Sequence, residues 1–195
     1  MTLVKQLKTE NKRDVVNFLN LRVATPRDDY ALGEFLVQVF HGKQTQKMPT
    51  HVDTPERIKD LLDVKTRREN GVVLIYELGY KIAATFTLIY PKSPINDVWL
   101  EESTLLRCVA VDAQFHGLSF SKLILDEADQ MSYQMGAHYC GLHVHKIAPN
   151  VAQVYERHGY QRDLRGDHFS KGQEVLGYAK KIYSPEQLNL GTTLQ

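Results

Sequence analysis

The stretch from Leu105 to Ser121 combines residues that can hold an anion. Leu105 to Val111 is apolar and valine-rich, broken only by Arg107, and has strand character. Asp112 and Ala113 turn the chain. His116-Gly117-Leu118-Ser119-Phe120-Ser121 then leads into a helical pattern carried by Ile124, Ala128, Met131 and Met135. A buried strand, a loop of small residues and a helix N-terminus bring unpaired backbone N–H groups to the positive end of a helix dipole. Gly117, Ser119 and Ser121 are small enough for a phosphate to close on the backbone. Taken alone, these residues fit an ordinary strand-to-helix turn better than a ligand site.

A second group is histidine-rich. His143 and His145 fall on one face of a strand by the two-residue period, with His138 just before them. Without a cysteine or carboxylate partner, three histidines make a weak metal set, and no metal is expected.

Further along, Val154-Tyr155-Glu156-Arg157-His158-Gly159-Tyr160 ends a short helix in a Tyr-Glu-x-x-Gly-aromatic pattern. With the loop at His116-x-x-Ser119-x-Ser121 and an apolar hairpin upstream, this chain resembles the GNAT superfamily of N-acetyltransferases. In that family the fourth strand runs into a pyrophosphate loop of pattern Arg/Gln-x-x-Gly-x-Gly/Ala. A later helix carries Leu-Tyr-Glu-x-x-Gly-Phe. The resemblance extends in element order from Leu21 to Tyr183.

The resemblance implies an α/β (α+β) fold, a mixed β-sheet with helices on both faces whose fourth and fifth strands splay apart. It implies acetyl-CoA as co-substrate, with the pantetheine arm bonded to the backbone of Val109, Ala110 and Val111 like an added strand. His116, Gly117, Leu118, Ser119, Phe120 and Ser121 would hold the pyrophosphate, with Asn150 as a further coenzyme contact. The reaction would be direct attack of a primary amine, from a small molecule or peptide, on the thioester. That needs a neutral amine, a stabilised oxyanion and a proton for the leaving sulfur. A tyrosine hydroxyl, with a pKa near about 10, keeps its proton at neutral pH and can donate it. Tyr155 occupies the family's general-acid position. On its helix, Val151 and Val154 are expected to face the sheet, with Tyr155 beside them at the edge. Glu101 and Glu102 precede the central strand, where the family often places a base; Glu102 is the expected base, with His145 behind it.

Some positions depart from the family pattern. Serines stand at 119 and 121 where the loop motif has glycine or alanine, and His116 replaces the usual Arg or Gln. The family's asparagine falls at Ala148 by strict spacing, with Asn150 two residues on. A second function class therefore stays open: a non-catalytic module that senses acyl-CoA or binds a partner on the same fold.

The remaining sequence supports one core. The chain has 195 residues, 43% hydrophobic and 24% charged, with net charge +1. This is the balance of a soluble globular protein, with no field to recruit nucleic acid or membrane. Two cysteines, Cys108 and Cys140, are too few for a disulfide scaffold and read as small buried groups. A cytoplasmic setting is expected, and a homodimer is compatible with it. The expected division is an arm or short helix at 1–20, one domain at 21–183 and a tail at 184–195.

Within that domain, Leu21–Ala24 reads as a strand. Thr25-Pro26 and Thr54-Pro55 start helices through a capping hydroxyl and a first-turn proline. Leu32, Phe35, Leu36 and Val39 form the apolar stripe of the first helix. His41–Asp53 reads as a loop, and Arg67-Arg68 as a solvated helix end. Val72–Tyr76 and Tyr80–Tyr90 form a hairpin around Gly79. His138–His145 is a strand, and Gly136 and Gly159 stop the helices before them. Tyr160–Asp163 and Val175–Ile182 are final strands separated by a polar loop.

Overall fold

The protein is described by a computed structural model over residues 19–47 and 54–184, the side chains of 42–47 excepted. The expected arm, except for its last two residues, therefore lies outside the described residues, as does the tail beyond Ser184.

The described chain runs β1 (Leu19–Val23), α1 (Asp29–Lys47), α2 (Pro55–Leu62), α3 (Val64–Glu69), β2 (Gly71–Leu78), β3 (Lys81–Ile89) and β4 (Ser103–Val111). It continues through α4 (Phe120–Gln134), β5 (Tyr139–His145), α5 (Pro149–Arg157), β6 (Gln161–Arg162), β7 (His168–Ser170) and β8 (Gln173–Lys181). The strands form one eight-stranded mixed sheet in the order β1-β2-β3-β4-β5-β8-β6, with β7 paired to β8. β1 and β2 are antiparallel, as are β5 and β8, whereas β4 and β5 are parallel. Among the described residues, no helix is long and apolar enough to cross a membrane.

The residues fall into two compact units. One holds the described residues up to Thr87 together with Cys108–Ile124; the other holds Leu88–Arg107 and the described residues from Leu125 onward.

In the first unit, local chemistry sets the helix starts. Thr25 and Asp28 close a capping box, with the Thr25 amide donating to Asp28 at 2.7 Å. Thr54 accepts from the Arg57 amide at 3.2 Å. The expected stripe packs inward. Leu32 joins Ala24, Val64, Val73 and Ile75, while Phe35 and Leu36 join Leu61, Cys108 and Ala110. Two expectations need correction here. Residues 41–47 continue α1 instead of forming a loop, because their Lys and Gln residues are good helix formers and no proline interrupts them. Arg67 is not a solvated helix end: it is 2% exposed and donates to the carbonyls of Asp60 and Leu61. It thus satisfies acceptors left over where α2 ends. Arg68 pairs with Asp29 at 3.0 Å.

In the second unit, Ala128, Cys140, Leu142, Val144, Tyr160 and Tyr178 are buried. Both cysteines are buried and free. The polar loop expected between the last two strands contains β7, which forms a hairpin with β8 through Lys171 and Gly172, both at positive φ. Two residues in the left-handed region close a tight antiparallel turn.

Candidate active site

The loop after β4 is built from anchored and exposed positions in alternation. Asp112 donates its amide to the Ala83 carbonyl at 3.0 Å and caps a 3-10 turn over Ala113–Phe115 with its carboxylate. Phe115, Leu118 and Phe120 are buried. Phe120 meets Tyr76 edge to face at 5.9 Å, and the Tyr76 hydroxyl donates to the Leu123 carbonyl. Between these anchors His116, Gly117, Ser119 and Ser121 are exposed.

Gly117 and Ser119 have φ of 85° and 63°. The second value is costly for a residue with a Cβ, by roughly 1–2 kcal/mol. It is the conformation a glycine at that place of the motif would adopt freely. The Ser119 carbonyl accepts from Lys122 and Leu123 and so begins α4. Among the described residues, the amides of Gly117, Ser119, Phe120 and Ser121 donate to no backbone carbonyl. A row of donors at a helix start is suited to a phosphate. The His116 ring lies 3.2 Å from the Val111 carbonyl, folded back on the end of β4. Ala110 and Val111 are buried, and Cys108 has φ of 52° in mid-strand.

In the second unit, α5 carries the Tyr155 motif. Gly159 has φ of 91°, which ends the helix in the left-handed conformation and drops Tyr160 into full burial. The Tyr160 hydroxyl donates to Cys140 Sγ at 3.2 Å. Burial pushes both the Tyr160 hydroxyl and the Cys140 thiol above their ordinary pKa values. Tyr155 is half-buried and meets Tyr160 edge to face at 5.8 Å. His158 closes the helix against Asp129 at 3.1 Å, and Lys180 pairs with the same carboxylate. One packing expectation is corrected. Val151 is 43% exposed, and Ala152 is the residue that faces inward. Asn150 is exposed in the first turn of α5.

Glu102 precedes β4 at φ of 50° and is 3.1 Å from His138 and 3.8 Å from Lys92. It lines an open cavity of about 340 Å³ with Lys92, Asn96, Val98, Leu100 and Glu101. The β4–β5 ladder covers three pairs, Ser103↔Tyr139, Thr104↔Cys140 and Leu105↔Gly141, of the nine residues in β4.

Sequence reasoning missed the groups around His143. Its ring lies edge to face with His168 at 4.6 Å and 5.5 Å from Trp99. Asp97 comes within 3.7 Å of His143 Nδ1 and 3.9 Å of His168 Nε2. Burial lowers the His143 pKa to about 4, with Asp97 opposing and His168 and Arg107 assisting. The pairing of His143 and His145 on one face was the sole sequence signal. Among the described residues, no group of three or more metal-binding side chains occurs.

No family model and no curated protein matches the sequence. Solved structures do. A GNAT-family acetyltransferase from Staphylococcus aureus Mu50 superposes with a TM-score of 0.64 at 17% identity, covering 85% of this chain and 99% of its own. A Bacillus subtilis acetyltransferase solved with CoA gives 0.57 at 16% identity, covering 85% and 99%. A chimeric spermidine N-acetyltransferase from Vibrio cholerae gives 0.60 at 17% identity, covering 88% and 99%. In its strand order, its loop after β4 and its likeness to these structures, the chain has the fold of the GNAT acetyltransferases.

Proposed function

We propose that this protein is an acetyltransferase that moves the acetyl group of acetyl-CoA to a primary amine. The observation that carries the proposal is Ser119 at φ of 63°. A non-glycine residue is held there in the left-handed region although the conformation is unfavourable to it. Strain of this kind persists where surrounding structure imposes it, often at ligand clamps. Support also comes from the CoA bound to the Bacillus subtilis structure of the same fold. The spermidine enzyme of that fold makes a small polyamine a reasonable acceptor class, alongside peptide amines.

The roles are those the resemblance to the GNAT family implies. The backbone of Val109, Ala110 and Val111 hydrogen-bonds the pantetheine arm. The amides from Gly117 to Ser121 take the pyrophosphate, with the His116 ring at the same loop and Asn150 as a further contact. Tyr155 gives its proton to the departing thiolate. Acetyl transfer from acetyl-CoA needs no metal in this scheme.

The test is thiol release from acetyl-CoA in the presence of polyamine, aminoglycoside, small-amine and peptide pools. Release that depends on one of the pools is the expected result. Tight CoA binding by calorimetry with no release in any pool would overturn catalysis and leave a coenzyme-binding module.

A further inference from the structure

The loop after β4 carries a titratable side chain at its first position. Where the family pattern has Arg or Gln, this chain has His116. The two usual residues are constant: arginine donates with a permanent charge, and glutamine with a neutral amide. An imidazole is not constant. Between about pH 5 and 8 it changes its charge, and one of its nitrogens turns from acceptor to donor.

The structure fixes which nitrogen that is. Nε2 lies 3.2 Å from the Val111 carbonyl oxygen, and a carbonyl can only accept. Nε2 therefore carries hydrogen in both charge states, and Nδ1 is the atom that gains or loses one. Nδ1 has no hydrogen-bond partner among the described residues, and His116 is exposed. Nδ1 is bonded to the ring carbon nearest the backbone, so it stays close to the main chain, one residue before Gly117. The main chain there is held. The His116 amide donates to the Ala113 carbonyl at 3.3 Å, and Phe115 and Leu118 are buried on either side. The amides of Gly117, Ser119, Phe120 and Ser121, which donate to no backbone carbonyl, follow at once. Val111, His116 and these donors all belong to one compact unit.

We propose that His116 is a proton-dependent contact for the coenzyme pyrophosphate: Nε2 stays on the Val111 carbonyl, and Nδ1, once protonated, donates to a phosphate oxygen held by the loop amides. This rests on the acetyltransferase function proposed above. A charged donor to an anion makes a short, strong bond. The neutral ring instead turns a lone pair toward the same oxygen, acceptor against acceptor. Binding of the anion and binding of the proton therefore favour each other, so coenzyme affinity rises as pH falls. The charged groups on the surrounding elements do not supply this dependence. Asp112 in the loop accepts from the Gln114 amide, and Glu77 on β2 is held by Arg22. Lys81 on β3, Arg107 on β4 and Lys122 in the first turn of α4 are cations of types that keep their charge between pH 5 and 8.

The experiment is calorimetry of CoA and dephospho-CoA binding to wild type, His116→Gln and His116→Arg across about pH 5.5 to 8. Dephospho-CoA is the deciding probe. It keeps the pyrophosphate but lacks the 3′-phosphate, whose own pKa near about 6 would tilt a CoA profile by itself. Wild type is expected to bind dephospho-CoA about tenfold more tightly at the acid end than at the alkaline end. His116→Gln should give a flat profile at the alkaline affinity of wild type. His116→Arg should give a flat profile at the acid affinity, because a guanidinium keeps its charge throughout. A purely structural histidine would not produce that pair of results. A flat wild-type profile, or an equal slope in wild type and His116→Gln, overturns the role of His116 and leaves the coenzyme site standing. If His116→Gln does not fold, His116→Arg decides, and a slope there equal to that of wild type overturns the role. No binding of CoA to wild type at any pH overturns the coenzyme site, and the acetyltransferase function with it, so the two failures are distinguishable.

Discussion

Trp99 lies against Gly166 so closely that a Cβ built on the glycine would overlap its six-membered ring. Gly177 lies beneath the same ring, and the indole N–H donates to Asp163 at 2.9 Å. The Arg165 guanidinium holds that carboxyl well below the usual carboxylate range. Two glycines and a charged clamp thus seat the chain's single tryptophan beside His143.

Gly166→Ala should therefore cost about 1–3 kcal/mol through overpacking. Its backbone is not in the left-handed region, so the penalty is steric alone. Urea unfolding followed by Trp99 fluorescence measures it. A midpoint equal to wild type would show that the ring has room to move.

Ser119→Gly should stabilise the protein by about 0.5–1 kcal/mol. Relief of left-handed strain exceeds the added freedom of the unfolded glycine. CoA affinity should be kept or improved. Ser119→Glu should abolish CoA binding through bulk and charge at the phosphate position. Calorimetry on a folded Ser119→Glu protein with wild-type affinity would remove the loop from the coenzyme site.

Tyr155→Phe removes one oxygen and keeps the ring that packs on Tyr160. The variant should fold, bind CoA, and lose about 10²–10⁴-fold in kcat. Full turnover, under conditions where chemistry limits the rate, would mean that Tyr155 is not the acid.

His143 should make stability depend on acid. Its folded pKa of about 4 lies below the value near 6.5 of an exposed histidine. The unfolded chain then binds the extra proton between those two values. The contribution is complete above about pH 6.5 and is lost as pH falls toward 4. The loss amounts to roughly 3 kcal/mol, at about 1.4 kcal/mol per pKa unit. Asp97, His168, Arg107 and Asp167 act on the same titration, so the loss should shrink with His143→Gln and grow with Asp97→Asn. Urea unfolding at pH 7 and pH 4.5 tests this; equal losses in wild type and His143→Gln would rule it out.

Much of the fold could be read locally. Thr25 and Thr54 cap the turns they were expected to cap, Gly79 turns the hairpin, and Gly136 and Gly159 end helices at positive φ. Each is a case in which one residue and its neighbours settle the backbone. The errors have a different origin. Residues 41–47 have no apolar period, so their helix was invisible to pattern although their propensity allows it. Arg67 carries a charge that a linear reading sends to water, while the carbonyls that bury it belong to Asp60 and Leu61 on the preceding helix. β7 is three residues long, too short to show alternation.

The sequence by itself determined the strand–loop–helix at Leu105–Ser121 and the helix carrying Tyr155, because turn chemistry, capping and short-range periodicity are local. It could not determine which distant side chains surround His143. Asp97 and Trp99 come from the segment before β4, and His168 from β7. Pairing of β8 with both β5 and β7 sets His143 against Gly177 and His168 against Val175. A shift of one residue in either ladder would turn the imidazoles to opposite faces. Their meeting therefore depends on long-range strand register, which the tertiary structure alone decides.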